Sequence, residues 1–317
     1  MTTNEINFLT PELLAQKSKV SEIDYWLSVL DWVTGWHYDL DIIWILDKIE
    51  ALKLPKGATI LDAGAGLGIT QFLLAARGYN VLSLDFAERE VPKMAQGIFQ
   101  VEQVNRNLEG YHHTYMDFMV YKDPKGSSPS KMGRILSIVT SPKEIIYRLK
   151  YYSRKLRSRL MRQSEIKKDH SHFGKISFVR GTFNNIPLDS NSVDLVVSVS
   201  AFEHNKFEDM PSTVVEFERV LKPGAAMLVT TSAAQAEDHF HKPSQGWCLN
   251  VGRLQSMFAA SKINGNFDAS IQALTTSNEF KKRIPMAYTM SANNGLPFGD
   301  LTNIKYVPVG IYKHKNS

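Results

Sequence analysis

Residues 58–68, ATILDAGAGLG, decide the fold that this chain of 317 residues is expected to adopt. The first part is a short apolar run typical of a buried strand, and the second part is a glycine turn. Glycine permits positive φ angles and lets the backbone approach a ligand where a Cβ would collide. The next segment, 69–77, predicts a helix closed by Gly78. A strand, a glycine turn and a helix in this order predict a nucleotide-binding corner of an α/β sheet.

The rest of the chain continues this alternation of strands and helices. Strands are predicted at 79–85, 176–181, 193–200, 225–232 and 305–313, and helices at about 88–108 and 211–221. The pattern predicts an α/β fold with a doubly wound, Rossmann-like sheet of seven mostly parallel strands. We expect 1–54, rich in aromatic residues, to form an N-terminal helical cap. Residues 55–317 would form the main domain, with a basic helical insertion at about 110–172 between the second and third strands.

Composition limits the class of protein. A hydrophobic content of 43% is ample for a buried core. Cys248 is the only cysteine, which excludes an internal disulfide and a cysteine-cluster metal site and fits a reducing compartment. The chain has no run of 18 apolar residues and no signal-like apolar run after a basic stretch. A cytoplasmic location is therefore expected, with a peripheral position on the inner face of the membrane as the further expectation that the insertion suggests.

A carboxylate follows the glycine turn at the spacing of a ribose ligand. Asp85 ends the second predicted strand, 17 residues after Gly68, where an acid accepts hydrogen bonds from both hydroxyls of a ribose. These features alone suit a nicotinamide dinucleotide equally well. Three other features favour S-adenosyl-L-methionine (SAM). Asp62 precedes the first glycine, where it can act through water on a methionine amino group, and the glycine spacing differs from the dinucleotide pattern. The segment 221–224, LKPG, lies between a helix and the fifth strand, where a dinucleotide fold has no special reason to place it.

Segments 57–88 and 174–232 resemble the class I SAM-dependent methyltransferases, in particular the type 11 methyltransferase domain of the small-molecule and glycan subgroup. The stretch 179–205, VRGTFNNIPLDSNSVDLVVSVSAFEHN, is similar to that family's third-strand and fourth-strand region. The resemblance implies SAM as the cofactor and the following contacts: Asp62, Gly64, Ala65, Gly66 and Gly68 around methionine and ribose, Asp85 on the ribose, Phe86 against adenine, Thr182 and Phe183 at the adenine edge, and Ser200 and Phe202 on the methionine side. Thr182 departs from the family's usual aspartate and offers an uncharged acceptor.

Methyl transfer from a sulfonium needs a positioned nucleophile and, for a hydroxyl acceptor, a general base. His204 is the leading candidate, because it follows the fourth strand and should lie at the carboxyl edge of the sheet. Glu203, directly before it, is a second catalytic candidate, and both residues suit a structural or cofactor-shell role equally well. His37, in the aromatic N-terminal segment, is a further candidate if the cap closes over the cofactor. His239 and His241 are expected near the substrate; no third ligand is in view, so no metal site is predicted.

The acceptor follows only by elimination. The sequence has no Asp/Asn-Pro-Pro-aromatic tetrad of adenine N-methylation, and Cys248 lies outside any context of a cytosine-C5 nucleophile. A hydroxyl of a small molecule or of a saccharide, including a lipid-linked one, is the favoured acceptor. An RNA methyltransferase that uses the basic insertion, and a SAM-binding protein without catalysis, remain as alternatives.

The basic insertion indicates an anionic partner. Segment 121–172 holds 14 Lys/Arg and 4 Asp/Glu. Within it, Ile145, Leu149, Tyr152, Leu156 and Leu160 recur at helical spacing, with basic residues around them. A basic amphipathic helix predicts contact with an anionic membrane surface through 131–163, and nucleic acid is the less favoured partner. It also remains open that the apolar stripe packs on the domain's own sheet or on a partner subunit, with the charges forming only a solvated face.

Overall fold

The computed structural model describes residues 3–104, 142–242, 244–288 and 301–316, and these form an α/β fold around one mostly parallel sheet. The strands are β1 (Glu5–Phe8), β2 (Thr59–Ala63), β3 (Asn80–Asp85), β4 (Val101–Val104), β5 (Ile176–Arg180), β6 (Val193–Val199), β7 (Leu221–Ala234), β8 (His239–His241), β9 (Gly246–Asn250), β10 (Lys262–Asn264) and β11 (Val307–His314). The helices are α1 (Lys17–Val29), α2 (Tyr38–Leu52), α3 (Thr70–Ala76), α4 (Pro142–Glu165), α5 (Met210–Val220), α6 (Val251–Phe258), α7 (Phe267–Thr276) and α8 (Asn278–Tyr288).

The strand order places the glycine turn at the point where ligands bind in such sheets. The main path runs β10-β1-β11-β7-β6-β2-β3-β5-β4. Strands β3 and β6 both lie parallel to β2, one on each side of it. The chain therefore moves outward in both directions from β2, and the crevice beyond the carboxyl ends of β2 and β6 is the topological switch point.

Two details of the sequence-based fold are wrong. The described residues form eleven strands instead of seven. Six of them match the strands placed from the sequence, and the other five, β1, β4, β8, β9 and β10, are short and carry weak patterns. Segment 5–8, which we expected in an N-terminal helical cap, is a strand that lies between β10 and β11; the division at residue 54 stays a prediction. The helices expected further along the cap are present as α1 and α2.

The helix expected at 88–108 is also absent over 88–104, and 105–108 lie outside the described residues. Turns replace it, followed by β4, which adds to the sheet edge parallel to β5. Pro92 lacks the N–H that a helix needs, and Gly97 adopts φ +81°, a left-handed conformation that interrupts a helix. Ile98 and Phe99 nevertheless enter the core at 4% and 7% exposure.

Helix α2 brings the N-terminal segment to the carboxyl edge of the sheet. Its residues Leu40, Ile43, Ile45, Leu46 and Ile49 are fully buried. Tyr306 directly precedes β11, which runs antiparallel to β7, so Tyr306 lies at the carboxyl edge of the parallel strands. The ring of His37, at the start of α2, lies 6.0 Å from that of Tyr306. The beginning of α2 therefore faces the same edge as the glycine turn.

Candidate active site

The glycine turn and the carboxylate expected beside it meet in the structure. Gly64 and Gly66 adopt φ angles of +76° and +49°. The amides of Gly64 and Ala65 donate to the carbonyl of Leu84 at 2.9 and 3.0 Å, which ties the turn to the end of β3. The Gly66 amide donates to Oδ2 of Asp85 at 2.8 Å. The bend after β2 and the acid that ends β3 therefore form one unit.

Asp85 keeps capacity for a ribose. Its Oδ1 accepts from the amide of Ala87 at 2.9 Å, and its Oδ2 accepts from Gly66. Each oxygen of a carboxylate has two lone-pair sites, so each can accept a second hydrogen bond. The side chain is 6% exposed. The backbone amides fix the orientation of the carboxylate, and the remaining lone pairs are available to two hydroxyl groups.

A buried arginine, Arg89, holds the backbone of the glycine turn through hydrogen bonds. The sequence analysis did not identify this residue. Arg89 donates to the Gly66 carbonyl at 2.8 Å and to the carbonyl and hydroxyl of Ser83 at 2.5 and 2.8 Å. Gln71, on α3, donates to the Gly68 carbonyl at 2.9 Å and accepts from the Ser83 hydroxyl at 2.8 Å. In sequence, Arg89 stands between two glutamates after the strand and resembles a solvated loop residue.

Asp62 is buried with one oxygen unsatisfied. The residue is 2% exposed, and Oδ2 has no hydrogen-bond partner among the described residues. Burial raises its pKa to about 7, with the Arg89 charge opposing the rise and Asp85 adding to it. A cationic ammonium group, directly or through a water, would satisfy this oxygen. The residues around the turn therefore fit the methionine end of SAM as well as its ribose.

This raised pKa predicts a pH-dependent affinity for SAM. The ammonium of SAM requires the ionised form of Asp62, so binding at lower pH must expel a proton from the carboxyl group. Below about pH 6 the dissociation constant is expected to rise by roughly tenfold for each pH unit, and above pH 7 to level off. Calorimetry between pH 5 and 7.5 measures this. In Asp62→Asn the dissociation constant should be higher at pH 7.5 and nearly flat with pH; a wild-type profile that is flat contradicts the role of Asp62.

Gly64 lies against the residues that follow β5 and β6. A Cβ on Gly64 would come within 2.5 Å of the Ala201 Cβ and 2.8 Å of the Phe183 ring. Phe183 is half-buried and also packs on Phe217, with ring centroids 5.6 Å apart. Thr182, half-buried, pairs with Asn185 in an isolated bridge. Phe183 therefore lies against the turn, and Thr182 directly precedes it in the chain. Their contact with the edge of adenine stays a prediction.

This packing makes Gly64→Ala strongly destabilising, and Gly224 offers a matched control. Both glycines adopt φ +76°, but a Cβ on Gly224 meets nothing within 4 Å. Gly224→Ala is expected to lower the free energy of unfolding by roughly 1–2 kcal/mol, because alanine is strained in a left-handed backbone conformation. Gly64→Ala adds a collision, which typically costs roughly 1–3 kcal/mol more. Urea denaturation measures both; equal losses would show that Ala201 and Phe183 do not press on the turn.

Ser200 and Glu203 form a second buried pair at the end of β6. Ser200 adopts φ +47°, which is strained for a residue with a Cβ, and its hydroxyl donates to Oε1 of Glu203 at 2.6 Å. Glu203 is 3% exposed, and its Oε2 has no partner among the described residues. Phe202 was expected on the methionine side, but its side chain is fully buried against Phe258 in the core, with ring centroids 5.3 Å apart.

His204 does not occupy the position expected of a general base. It is exposed, and its Nδ1 lies 2.8 Å from the carbonyl oxygen of Gln245. The short 3-10 turn Phe202–His204 directs Glu203 inward and His204 outward. A donor bond to a backbone carbonyl holds the loop before β9 in place. The structural reading of His204 is the one that this geometry favours.

His37 has the environment expected of a general base, because it is buried and paired with a carboxylate. Its Nδ1 lies 2.7 Å from Oδ2 of Asp41, one turn along α2, and the two residues are 4% and 0% exposed. Burial raises the pKa of Asp41, the charge of His37 opposes this rise, and the charge of Glu203 adds to it. The indole of Trp36 packs edge-on against the imidazole and donates to the Tyr306 hydroxyl at 2.9 Å. A carboxylate on Nδ1 favours the tautomer that leaves Nε2 free to accept a proton.

The charge of Glu203 contributes to the raised pKa of Asp41, after the larger effect of burial. Glu203 also raises the pKa of Cys248, after the larger effect of that thiol's burial, so Cys248 is an inert core residue. His37 and Glu203 are both buried, whereas the neighbouring His204, whose ring lies with Glu203 against Gly246, is exposed. The sequence analysis did not identify Asp41. Residues four apart on a helix are neighbours, so the spacing of Asp41 from His37 on the predicted helix could have indicated this pair.

His239 and His241 both lie on β8 but differ in burial. His241 is 7% exposed, lies 2.8 Å through Nδ1 from the Ser244 hydroxyl, and has a pKa lowered by burial and by nearby His239 and Lys305. His239 is exposed. Across the described parts of the chain, no group of three His, Cys, Asp or Glu side chains is placed to hold a metal ion.

Comparison with known proteins adds one family match. Residues 147–229 match the model of a methyltransferase domain. The matched segment includes β5, β6, α5 and most of β7, and it ends before the region of His239. No curated protein sequence matches the chain.

Solved structures of similar shape are distant in sequence. The YcgJ protein of Bacillus subtilis is 15% identical over 86% of this chain and 98% of its own, with a TM-score of 0.40. A phosphoethanolamine N-methyltransferase 2 of Haemonchus contortus, solved with phosphomonomethylethanolamine and S-adenosylhomocysteine, is 14% identical over 87% of this chain and 52% of its own, with a TM-score of 0.49. The family match, together with the sheet order and the glycine turn described above, supports a class I methyltransferase domain with SAM as its cofactor.

Proposed function

We propose that this protein transfers a methyl group from SAM to a hydroxyl of a small molecule or saccharide, with His37 as the general base. The observation that carries the proposal is the buried His37–Asp41 pair at the carboxyl edge of the sheet, with the charge of Glu203 close enough to raise the pKa of Asp41 further. SAM, when bound, supplies a methyl group on a positively charged sulfur, which makes the methyl group an electrophile.

Each of the other residues has a role that follows from its position. The glycine turn and Asp85 hold the ribose, and Asp62 holds the ammonium group. His37 accepts the proton of the acceptor hydroxyl at Nε2, and Asp41 stabilises the imidazolium that forms. The low exposure of His37, Trp36 and Asp41 keeps water from this proton transfer.

The His37–Asp41 pair supports oxygen as the acceptor atom. A hydroxyl is a poor nucleophile until its proton is removed, whereas a neutral amine attacks with its own lone pair and loses a proton afterwards. A carboxylate-oriented histidine is therefore more useful for O-methylation than for N-methylation. Saccharides and other polyols offer such hydroxyls, and their recognition would use polar groups near the edge, among them Ser200 and His241.

The test uses SAM with a tritiated methyl group and cell extract separated into water-soluble, lipid and RNA fractions. Hydriodic acid releases an O-methyl group as volatile methyl iodide and leaves N-methyl groups in place under mild conditions. Volatile, nuclease-resistant label in the water-soluble or lipid fraction is the expected result. Nuclease-sensitive label would favour the RNA methyltransferase. SAM binding without any transfer would favour the inactive SAM-binding protein.

A further inference from the structure

Helix α4 lies on the protein through its polar face. Ser158 and Glu165 are 2% and 3% exposed. Arg154 and Lys155 pair with Asp31, two residues after the end of α1. Arg162 donates to the backbone carbonyls of 93, 94 and 96 at 2.9–3.1 Å. These contacts fix the orientation of the helix about its own axis.

The opposite face carries the apolar stripe, and it is exposed. Leu149, Tyr152, Leu156 and Leu160, which we call the outer stripe, are 65%, 63%, 59% and 58% exposed. At 3.6 residues per turn, these four positions share one narrow face of α4, and Ser158 lies on the opposite side of the helix. The outer stripe therefore points away from the protein, and the interpretation in which it packs on the described part of the domain is wrong.

The borders of the outer stripe are cationic. Arg157 and Arg159 are exposed, one on each side of it. The acid at the end of the helix, Glu165, turns inward to Tyr25 and Lys168. Over the part of α4 whose side chains are described, 149 and 152–165, no exposed carboxylate borders the stripe. The surface that covers this face must therefore offer apolar material at its centre and negative charge at its borders.

We propose that the outer stripe docks on an anionic lipid bilayer, with α4 lying parallel to the surface. Leucine and tyrosine side chains enter the boundary between headgroups and acyl chains, and Arg157 and Arg159 extend to the lipid phosphates. A second copy of the chain would bring the same arginines against one another, and a nucleic acid would leave the leucines uncovered. Among the described helices, none combines the length and the apolar composition that a membrane-spanning segment requires. This docking is independent of the proposed methyl transfer.

Flotation of the full chain with vesicles tests the proposal. Vesicles of phosphatidylcholine alone are compared with vesicles holding about 30% phosphatidylglycerol, at two salt concentrations. The wild-type protein is expected to float with the anionic vesicles only, and less at high salt. Leu156→Ser with Leu160→Ser should reduce binding at least tenfold, and Arg157→Gln with Arg159→Gln should reduce it similarly. Val215→Ser, at an apolar residue of α5 that is 64% exposed, is the matched control and should float like the wild type.

Other occupants give other results, and each would overturn the proposal. Equal flotation of the wild type and the double leucine variant would show that the outer stripe does not touch lipid. A dimer that the leucine variant dissociates, without flotation, would identify a second copy. RNA retention lost in the arginine variant but not in the leucine variant would identify nucleic acid. A large loss of thermal stability in the leucine variant would mean that the chain itself covers the stripe. SAM calorimetry on each variant shows whether the active site is intact.

Discussion

Replacement of Asp85 by alanine is expected to weaken SAM binding at least a hundredfold. The variant removes the acceptor for two ribose hydroxyls, and hydrogen bonds to a charged group contribute roughly 1.5–3 kcal/mol each. Two such bonds correspond to a loss of about 3 kcal/mol or more, which is about a hundredfold in the dissociation constant. The amide of Gly66 also loses its partner, so the turn itself loosens. Calorimetry with SAM and with S-adenosylhomocysteine measures the effect.

The control for Asp85 separates a binding loss from unfolding. Glu90, five residues further along, is exposed, and Glu90→Ala should leave the affinity within about twofold. Asp85→Asn keeps an oxygen that can accept from the Gly66 amide but removes the charge, so it should bind SAM with an affinity between wild type and Asp85→Ala. If Asp85→Ala binds SAM within threefold of the wild type and remains folded by circular dichroism, the ribose contact is refuted.

Replacement of His37 by glutamine is expected to lower kcat by about a hundredfold to ten-thousandfold, the range typical of a positioned acid or base. The dissociation constant of SAM should stay within threefold, because His37 acts on the acceptor and not on the cofactor. The measurement is tritium transfer to the fraction that the wild-type enzyme labels. Asp41→Asn should also lower kcat, because an amide no longer fixes the tautomer of His37 or stabilises its charged form.

His204→Ala distinguishes the two candidate bases. His204 is exposed and holds a backbone carbonyl, so this variant should keep kcat within about threefold of the wild type. The reverse pattern, an active His37→Gln and an inactive His204→Ala, would return the role of base to His204. SAM calorimetry on both variants shows that the cofactor site is still folded. Because His37 is buried, its variant also needs a urea denaturation curve beside the wild type.

The central strands and the glycine turn were predictable because their signals are local. The run 58–68 combines apolar residues with glycines whose positive φ angles no other residue adopts as easily. Parallel strands bring their carboxyl ends to one edge, so the meeting of the turn with Asp85 followed from chain order. The strands β1, β4 and β10 have only three or four residues each, and their stability comes from distant partners. No local pattern contains that information.

The candidate base was harder to predict for a different reason. His204 follows a strand directly, so sequence position favoured it, but its direction depends on the 3-10 turn that sends Glu203 inward. His37 reaches the edge only because α2 packs along the sheet, a contact between segments more than a hundred residues apart. The helical spacing of its apolar residues predicted the outer stripe. The side of α4 that faces the protein depends on the partners of Arg154 and Arg162, and the spacing of residues along the sequence does not identify those partners.

Strand β11 also determines when the sheet can be completed during synthesis. It inserts between β7 and β1, and its partner Ile6 lies about 300 residues earlier in the chain. A ribosome must therefore translate past residue 314 before the first strand gains a hydrogen-bonded neighbour on that side. Until then, the edges of β1 and β7 are open to pairing with other nascent chains, and a chaperone that shields them would raise the yield of folded protein.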